Sequence, residues 1–170
     1  MLQIQQNQIQ FNISPRGTNE IQFLVIHDTG NRSTGAGSLM HFRYFNGGNR
    51  GASADFFVDD SNIIQFNDYS QYYSWHCGDG GGKYGITNGN SVGIEMCINN
   101  DGNYEQTVLN TIDLVKYLMS SLNINIDHVV RHYDASRKNC PQTMNNGGDW
   151  SKWWNFKEKL TKSNLVITDK

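Results

Sequence analysis

The sequence lacks the features of a membrane protein or of a nucleic-acid-binding protein. It has no apolar run approaching the roughly 20 residues that a membrane-spanning helix needs, so we expect no membrane insertion. Its 14 Lys and Arg residues are outnumbered by 16 Asp and Glu residues, which gives a formal net charge of −2. Nucleic-acid-binding domains normally carry a basic face, so we expect no nucleic-acid partner.

A secretory signal peptide is also missing. The opening stretch, MLQIQQNQIQFNI, has no basic segment followed by an apolar one. We therefore expect synthesis in the cytoplasm without an export signal.

Cysteine is scarce. The three cysteines, Cys77, Cys97 and Cys140, are odd in number and form no CxxC pair. This pattern argues against a disulfide framework and leaves at least one cysteine free for chemistry or for a metal. Cys97 lies in the apolar run VGIEMCI, so we expect it to be a small buried hydrophobic residue.

No internal repeat, low-complexity block or proline-rich linker divides the chain. A chain of 170 residues suffices for one domain with its own core. We therefore expect a single domain over residues 1–160. Residues 161–170 are expected to form a tail, or the start of a linker in a longer protein.

Short apolar segments predict the strands of a central sheet. Continuous runs such as IQFLVIH are typical of strands buried on both faces, whereas the looser alternation near the start indicates an edge strand or an N-terminal arm. The predicted segments are this arm or edge strand at 2–13, a strand at 21–27, a hairpin at 53–66, a strand at 91–98 and a strand at 127–132.

Helical periodicity is clearest at residues 105–122, where apolar side chains recur at a spacing of three or four. Further helices are predicted at 33–46, with Ser33 or Thr34 as N-cap, and at 150–160. Strands that alternate with helices predict an α/β fold in which a mixed central β-sheet is flanked by α-helices.

Two histidines stand at the ends of predicted strands, where functional groups gather in such folds. His27 ends FLVIH, His132 ends HVVRH, and Cys140 follows eight residues later. Two histidines and a thiolate, with a fourth position left for water, form a catalytic zinc arrangement. The spacing alone is not a specific metal signature, so scattered structural histidines remain the alternative.

Two charged residues could act beside such a metal. Glu95 lies inside the apolar strand VGIEM, where an isolated carboxylate is costly, and it could serve as a general base. Lys138 precedes Cys140 by two residues and could stabilise an oxyanion. The alternatives are a solvent-facing position on an edge strand for Glu95 and an ordinary surface lysine for Lys138.

Five motifs in one order resemble those of the zinc-dependent N-acetylmuramoyl-L-alanine amidases. They are VIHDTGN, SADFFVDD, WHCGDG, SVGIEMC and RHYDASRKNCP. This amidase-2 family includes phage endolysins and is related to the peptidoglycan recognition proteins. The resemblance covers most of the chain and implies the family's mixed sheet flanked by helices. It also implies a peptidoglycan hydrolase that cleaves the amide bond between N-acetylmuramic acid and L-alanine of the stem peptide.

The resemblance implies a role for each candidate residue. The matching positions make His27, His132 and Cys140 the ligands of one zinc ion. They make Glu95 the catalytic acid/base and Lys138 a stabiliser of the transition state.

Two positions depart from the family pattern. Many members have a tyrosine, thought to assist catalysis, where this sequence has Ala54, so the burden shifts to Glu95. The next position is often histidine and is Asp55 here, a candidate either for shaping the substrate cleft or for accepting a hydrogen bond behind the ligands. Asp28, directly after His27, is another candidate for accepting a hydrogen bond behind the ligands.

The loop predicted at 67–90 is rich in Gly, Tyr and Trp, and we expect it to line the substrate groove. Tyr72, Tyr73 and Trp75 can stack on sugar or peptide faces. His76 could touch the substrate or be hydrogen-bonded to hold the loop.

The remaining histidines and tryptophans are expected to be structural. We expect His41 on a helix surface and His128 at the start of a strand. Trp150, Trp153 and Trp154 are expected to pack the last helix, although an exposed one could contact glycan.

Two other functions stay open from the sequence. Cys140 or Cys77 could be the nucleophile of a cell-wall peptidase with a histidine base, or the chain could bind peptidoglycan without cutting it. The absence of a signal peptide and of an obvious wall-binding repeat fits a phage or prophage lysin released through host-membrane pores, with a bacterial autolysin as the alternative. A separate wall-binding domain is possible if the chain is a fragment.

Overall fold

A six-stranded mixed sheet forms the centre of the protein in the computed structural model, which describes residues 1–162. The strands, in chain order, are β1 (Ile4–Gln6), β2 (Ile13–Pro15), β3 (Phe23–Asp28), β4 (Phe56–Val58), β5 (Ile63–Gln65), β6 (Tyr72–Ser74), β7 (Ser91–Met96) and β8 (Val129–Arg131). The central sheet has the order β1-β5-β4-β7-β3-β8. Strand β3 is parallel to β7 and β8, and β4 is antiparallel to β5, so the predicted mixed sheet is confirmed.

Five α-helices accompany the sheet within residues 1–162. They are α1 (Ser38–Asn46), α2 (Tyr104–Leu122), α3 (His132–Ser136), α4 (Gln142–Asn145) and α5 (Ser151–Thr161). Helices α2 and α5 cover one face of the sheet, where Leu24, Ile94 and Leu118 belong to the main core cluster. The other face carries a second cluster that includes Phe57 and Cys97, with α1 packed against it. Cys97 is therefore the small buried residue that was predicted.

The segment predicted as a long loop contains a strand. Strand β6 pairs antiparallel with β2, with Ile13 opposite Ser74, and the two form a separate small sheet. The Arg16 guanidinium fixes this region because it donates hydrogen bonds to the backbone carbonyls of Tyr69, Tyr72, Gly89 and Ser91. The prediction of one edge strand or arm at 2–13 is also refined. Strand β1 is the edge strand of the central sheet, and β2 belongs to the small sheet with β6.

Helix α1 begins later than predicted, so neither Ser33 nor Thr34 is its N-cap. Gly37 occupies the N-cap position and has no side chain that could accept a hydrogen bond. Asp59, in the turn between β4 and β5, accepts hydrogen bonds from the backbone N–H and the hydroxyl of Ser38. The residue that fixes the helix start is thus distant in sequence.

The strand predicted at 127–132 is shorter, because His132 is the first residue of α3 rather than the end of β8. In α5, Trp153 is buried as predicted, and Trp150 just before it is buried too. Trp154 is 56% exposed, so the packing role predicted for it is wrong. It lies on the outward face of the helix.

The boundary predicted at residue 160 falls in the last turn of α5, which ends at Thr161. Residues 163–170 of the predicted tail lie outside the described residues. Within residues 1–162, no helix is both long enough and apolar enough to cross a lipid bilayer.

Candidate metal centre and active-site cleft

Three residues distant in sequence converge at one end of the central sheet. His27 lies near the carboxyl end of β3, His132 directly follows the neighbouring strand β8, and Cys140 lies on the loop after α3. Their potential ligand atoms all lie within 4.8 Å of one another, and all three residues are buried. The Cys140 Sγ atom is 3.8 Å from His27 Nδ1. The structure therefore brings together the three predicted metal ligands.

The chemistry of this cluster fits a zinc ion. His132 Nδ1 is buried and has no hydrogen-bond partner among residues 1–162, an arrangement that is costly unless another group uses the lone pair. Burial holds the pKa of His27 well below its usual value, so its imidazole is neutral. Two neutral imidazoles and one thiolate are a common catalytic zinc donor set.

Burial also bears on the thiols. It raises the pKa of Cys140, and the nearby Glu95 carboxyl raises it further. Burial raises the pKa of Cys77 to about 12. Nucleophilic cysteines need a lowered pKa, so these surroundings argue against a cysteine-nucleophile peptidase, whereas a bound dication would stabilise the Cys140 thiolate.

Glu95 lies beside the cluster, on the central strand β7. Its Cα is in register with that of His27, so the two side chains project from the same face of the sheet. The Glu95 side chain is 18% exposed, and its Oε2 atom has no hydrogen-bond partner in the described part of the chain. Burial raises the pKa of Glu95 to about 8, with a further contribution from Asp28. The alternative of an edge-strand position is wrong.

Lys138 is exposed and lines the cleft over the cluster. This cleft has a volume of about 280 Å³ and adjoins a second cavity of about 380 Å³. Lys138, Trp75 and His132 line both. A cationic side chain at the mouth of a buried, polar site can meet negative charge that develops on a bound substrate.

The candidates for substrate contact fall into two groups. Trp75 lines the cleft, and its indole N–H donates to Ser14 Oγ. Tyr72 and Tyr73 do not line it: they belong to β6, and Tyr73 lines a different shallow cavity. Neither tyrosine is thus brought to the metal cluster.

Asp55 is fully buried, so of its two predicted roles the one in the substrate cleft is wrong, and the carboxylate instead accepts hydrogen bonds inside the protein. Its Oδ1 accepts a hydrogen bond from the Asn67 side chain, and its Oδ2 accepts one from the Gly93 backbone N–H. Through these two hydrogen bonds, the carboxylate links the start of β4 to β7 and to the segment after β5. Ala54 is also buried, in the core under α1.

His76 lies in the wall of the cleft with both ring nitrogens engaged. Its Nδ1 is 3.1 Å from His27 Nε2, and its Nε2 is 3.1 Å from Ser91 Oγ. Burial, with the charges of His132 and Arg16, lowers the pKa of His76 to about 3, so its ring is neutral. Of the two predicted roles, the structure shows the hydrogen-bonded one, and the ring also lines the cleft.

Other predictions need correction or refinement. His41 is buried rather than on a helix surface, and its ring stacks on Phe57 with centroids 5.0 Å apart. His128 is exposed directly before β8, close to the predicted position. Asp28 Oδ2 accepts hydrogen bonds from the Thr143 N–H and hydroxyl, which anchors α4 beside Cys140.

One residue of the site was missed. Asp79 Oδ1 lies 2.7 Å from His132 Nε2. The only sequence signal for it was its place in the WHCGDG motif, three residues after His76.

Comparisons with known proteins agree with this geometry. Residues 17–143 match the family described as N-acetylmuramoyl-L-alanine amidase, a range that contains the cluster, Glu95 and Lys138. The amidase CwlH of Bacillus subtilis (strain 168) is 37% identical over 122 residues, which cover 72% of this chain and 48% of CwlH. The amidase XlyA of the same strain is 36% identical over 122 residues, covering 72% of this chain and 40% of XlyA. The chain thus spans less than half the length of these relatives.

Solved structures show the same fold. The catalytic domain of XlyA superposes with a TM-score of 0.81 at 32% identity, covering 94% of this chain and 99% of that domain. The solution structure of the PlyG catalytic domain superposes with a TM-score of 0.75 at 27% identity, covering 99% of both chains. The motifs, the fold and these matches agree: the chain belongs to the N-acetylmuramoyl-L-alanine amidase family.

Proposed function

We propose that this chain is a zinc-dependent peptidoglycan hydrolase that cleaves the amide bond between N-acetylmuramic acid and L-alanine of the stem peptide. The observation that carries the proposal is the convergence of His27, His132 and Cys140 within 4.8 Å, beside the buried carboxyl of Glu95. Family membership supplies the substrate class. The geometry supports the residue roles.

His27, His132 and Cys140 would hold the zinc ion. When bound, zinc lowers the pKa of water toward neutrality and polarises a carbonyl group. Glu95 takes the proton from the attacking water and later gives it to the leaving amine, which requires a pKa near neutrality. Burial raises its pKa to about 8, which favours the proton-bearing acid, whereas the charge of Lys138 lowers the pKa and favours the ionised base.

Lys138 balances the charge on the oxyanion of the tetrahedral intermediate, from the mouth of the cleft. Trp75 forms part of the wall against which sugar or peptide packs. His76 supports the site from behind and also borders the substrate space.

We also propose that the chain acts on the bacterial cell wall as a phage- or prophage-type lysin, synthesised in the cytoplasm and released through host-membrane pores. The matched relatives are about twice as long as the region they share with this chain. A separate wall-binding domain in a longer protein is consistent with that difference.

The test combines metal analysis with product analysis. Purified protein should contain one zinc per chain, and Cys140→Ser should lose it while staying folded. Digestion of purified cell walls should release new N-terminal alanine, and 1,10-phenanthroline should abolish this release. Cys97→Ser is the matched control, because that buried thiol lies in the core under α1. A protein that sediments with walls but frees no amine would overturn the proposal.

A further inference from the structure

The two histidine ligands each have a hydrogen-bond acceptor placed behind them. His132 Nε2 is 2.7 Å from Asp79 Oδ1, and Asp79 Oδ2 accepts a further hydrogen bond from Ser136 Oγ at 3.0 Å. A carboxylate only accepts hydrogen bonds, so His132 must carry its proton on Nε2. In the neutral ring Nδ1 is then bare, and this is the buried atom that has no partner within residues 1–162.

A longer chain fixes the proton of His27 in the same way. It starts at the backbone carbonyl of Thr87, which can only accept a hydrogen bond. The Ser91 hydroxyl makes its shortest contact with this oxygen and therefore donates to it. Because Ser91 donates there, its oxygen accepts from His76 Nε2–H. The neutral His76 ring then has a bare Nδ1, which accepts from His27 Nε2–H. His27 Nδ1 is left bare, 3.8 Å from Cys140 Sγ.

Two glycines leave the space that allows His76 and Asp79 to approach the two histidine ligands. A Cβ atom added at Gly93, in the SVGIE motif, would lie 2.5 Å from the His76 ring. A Cβ atom added at Gly80 would lie 2.1 Å from the backbone oxygen of Ala135, in the helix that starts with His132. Real Cβ atoms do not approach so closely. The WHCGDG segment can therefore pack against β7, the neighbour of the strand that bears His27, and against α3, which begins with His132, only because these positions lack side chains.

We propose that His76 and Asp79 are positioning residues that hold His27 and His132 as Nε2–H tautomers, so that both present Nδ1 to the metal. The inference rests on the zinc site of the proposed function. It explains why His76 and Asp79 stand three residues apart in one motif: the segment between them spans the two histidine ligands from behind. Acceptors of this kind orient metal-binding histidines in other proteins.

The first measurement needs no metal. The ¹⁵N chemical shifts of the imidazole nitrogens, recorded on zinc-free protein at neutral pH, report which nitrogen carries the proton. We expect Nε2–H for His27, His76 and His132. An Nδ1–H form of His27 or His132 would overturn the inference.

The second measurement is zinc affinity, by competition with a chromophoric chelator. Loss of such an acceptor typically weakens metal binding by about 10- to 100-fold, and we expect this for Asp79→Ala and for His76→Phe, which keeps the ring volume. In His76→Asn the amide oxygen can take the place of Nδ1, so we expect most of the affinity to return. Asp101→Ala and His41→Phe, matched changes outside the cleft, should bind zinc like the wild type.

Folding is checked by thermal melting of each zinc-free variant. If His76→Phe does not fold, Ser91→Ala serves instead: it removes the hydroxyl that orients His76, and the His76 spectrum should then show both tautomers. Wild-type zinc affinity in Asp79→Ala together with a single His76 tautomer in Ser91→Ala would refute the positioning role. If the wild type binds no zinc, the proposed function fails, while the tautomer measurement still decides the orientation of the histidines.

Discussion

Glu95 and His27 occupy paired positions on adjacent parallel strands, with Glu95 Oε1 3.9 Å from His27 Nδ1. The register of β3 and β7 therefore sets the distance between the proposed base and the proposed metal. Because pairing between these two central strands fixes the backbone of Glu95, its carboxyl group stays close to His27. A fixed position suits a group that must accept a proton and later donate it.

Replacement of that carboxyl should separate chemistry from metal binding. Glu95→Gln keeps the shape of the side chain but cannot accept a proton, so we expect a fall in amide hydrolysis of about 10²- to 10⁴-fold. Zinc content should remain at one per chain. The measurement is the release of N-terminal alanine from cell walls, with Glu105→Gln on the exposed start of α2 as the control. Undiminished hydrolysis by Glu95→Gln would remove it from the mechanism.

Lys138 should affect turnover rather than folding, because its side chain is exposed at the cleft. We expect Lys138→Ala to lower turnover by about 10²- to 10³-fold, the size typical of a lost oxyanion donor. The melting temperature should stay near that of the wild type. Lys152→Ala, an equally exposed lysine on α5, should change neither quantity. Full turnover by Lys138→Ala would show that the lysine is only a surface charge.

Asp59 should control the stability of α1 and its dependence on pH. Its Oδ2 accepts from Ser38, and its Oδ1 accepts from the backbone N–H groups of Ser61 and Asn62. We expect Asp59→Ala to lower the free energy of unfolding by about 2 kcal/mol, as loss of a helix cap and of buried hydrogen bonds does. Urea titration at fixed zinc concentration measures this. Asp113→Ala should cost little, because the interaction that it removes in the described residues is a surface ion pair with the N-terminus.

The sign of the pH effect follows from the Asp59 pKa. Burial alone would raise this pKa, but the hydrogen bonds from Ser38, Ser61 and Asn62 lower it below its usual value. The stabilisation is therefore complete above the unfolded-state pKa of about 4 and is lost as the pH falls toward the lower folded-state value. The difference in stability between wild type and Asp59→Ala should shrink in that range. A constant difference would contradict the role of the ionised carboxylate.

Arg131 should matter for stability although it directly precedes His132, a proposed metal ligand. Its guanidinium donates two hydrogen bonds to the Asp134 carboxylate and lies 4.3 Å from the centroid of the Trp150 ring. We expect Arg131→Ala to lower the free energy of unfolding by about 2–3 kcal/mol. Arg131→Lys should recover only part of it, since lysine lacks the planar fork. Arg43→Ala, on the exposed side of α1, is the control, and equal stability of all three variants would contradict the role.

The proposed metal ligands were predictable because their signal in the sequence is local. A polar residue that ends a buried apolar run must lie at the rim of a sheet, and His27 fits this description in the sequence alone. His132 and Cys140 were found together because eight residues allow a loop to return. Glu95 could be predicted as a functional residue because burial of a carboxylate in an apolar strand is costly unless the group has a partner or a role.

The residues behind the site were not predictable, because their roles depend on pairings between distant segments. Asp55 looks like a cleft residue in the sequence, but its carboxylate faces inward to Gly93. The pairing of β2 with β6 joins segments about 60 residues apart, and no local pattern marks it. The start of α1 was predicted too early for the same reason. The residue that accepts hydrogen bonds from its first residue, Ser38, is Asp59, which lies about 20 residues away in the turn between β4 and β5.

The hydrogen bonds of Arg16 limit how far the protein can be shortened in engineering. The family match starts at residue 17, so a protein trimmed to the matched region would lose Arg16 and the strands β1 and β2. Four carbonyls between Tyr69 and Ser91 would then lose their shared donor, and the segment that bears His76 and Asp79 would lose its anchor. A minimal unit intended for fusion to other wall-targeting modules should therefore keep the N-terminal arm.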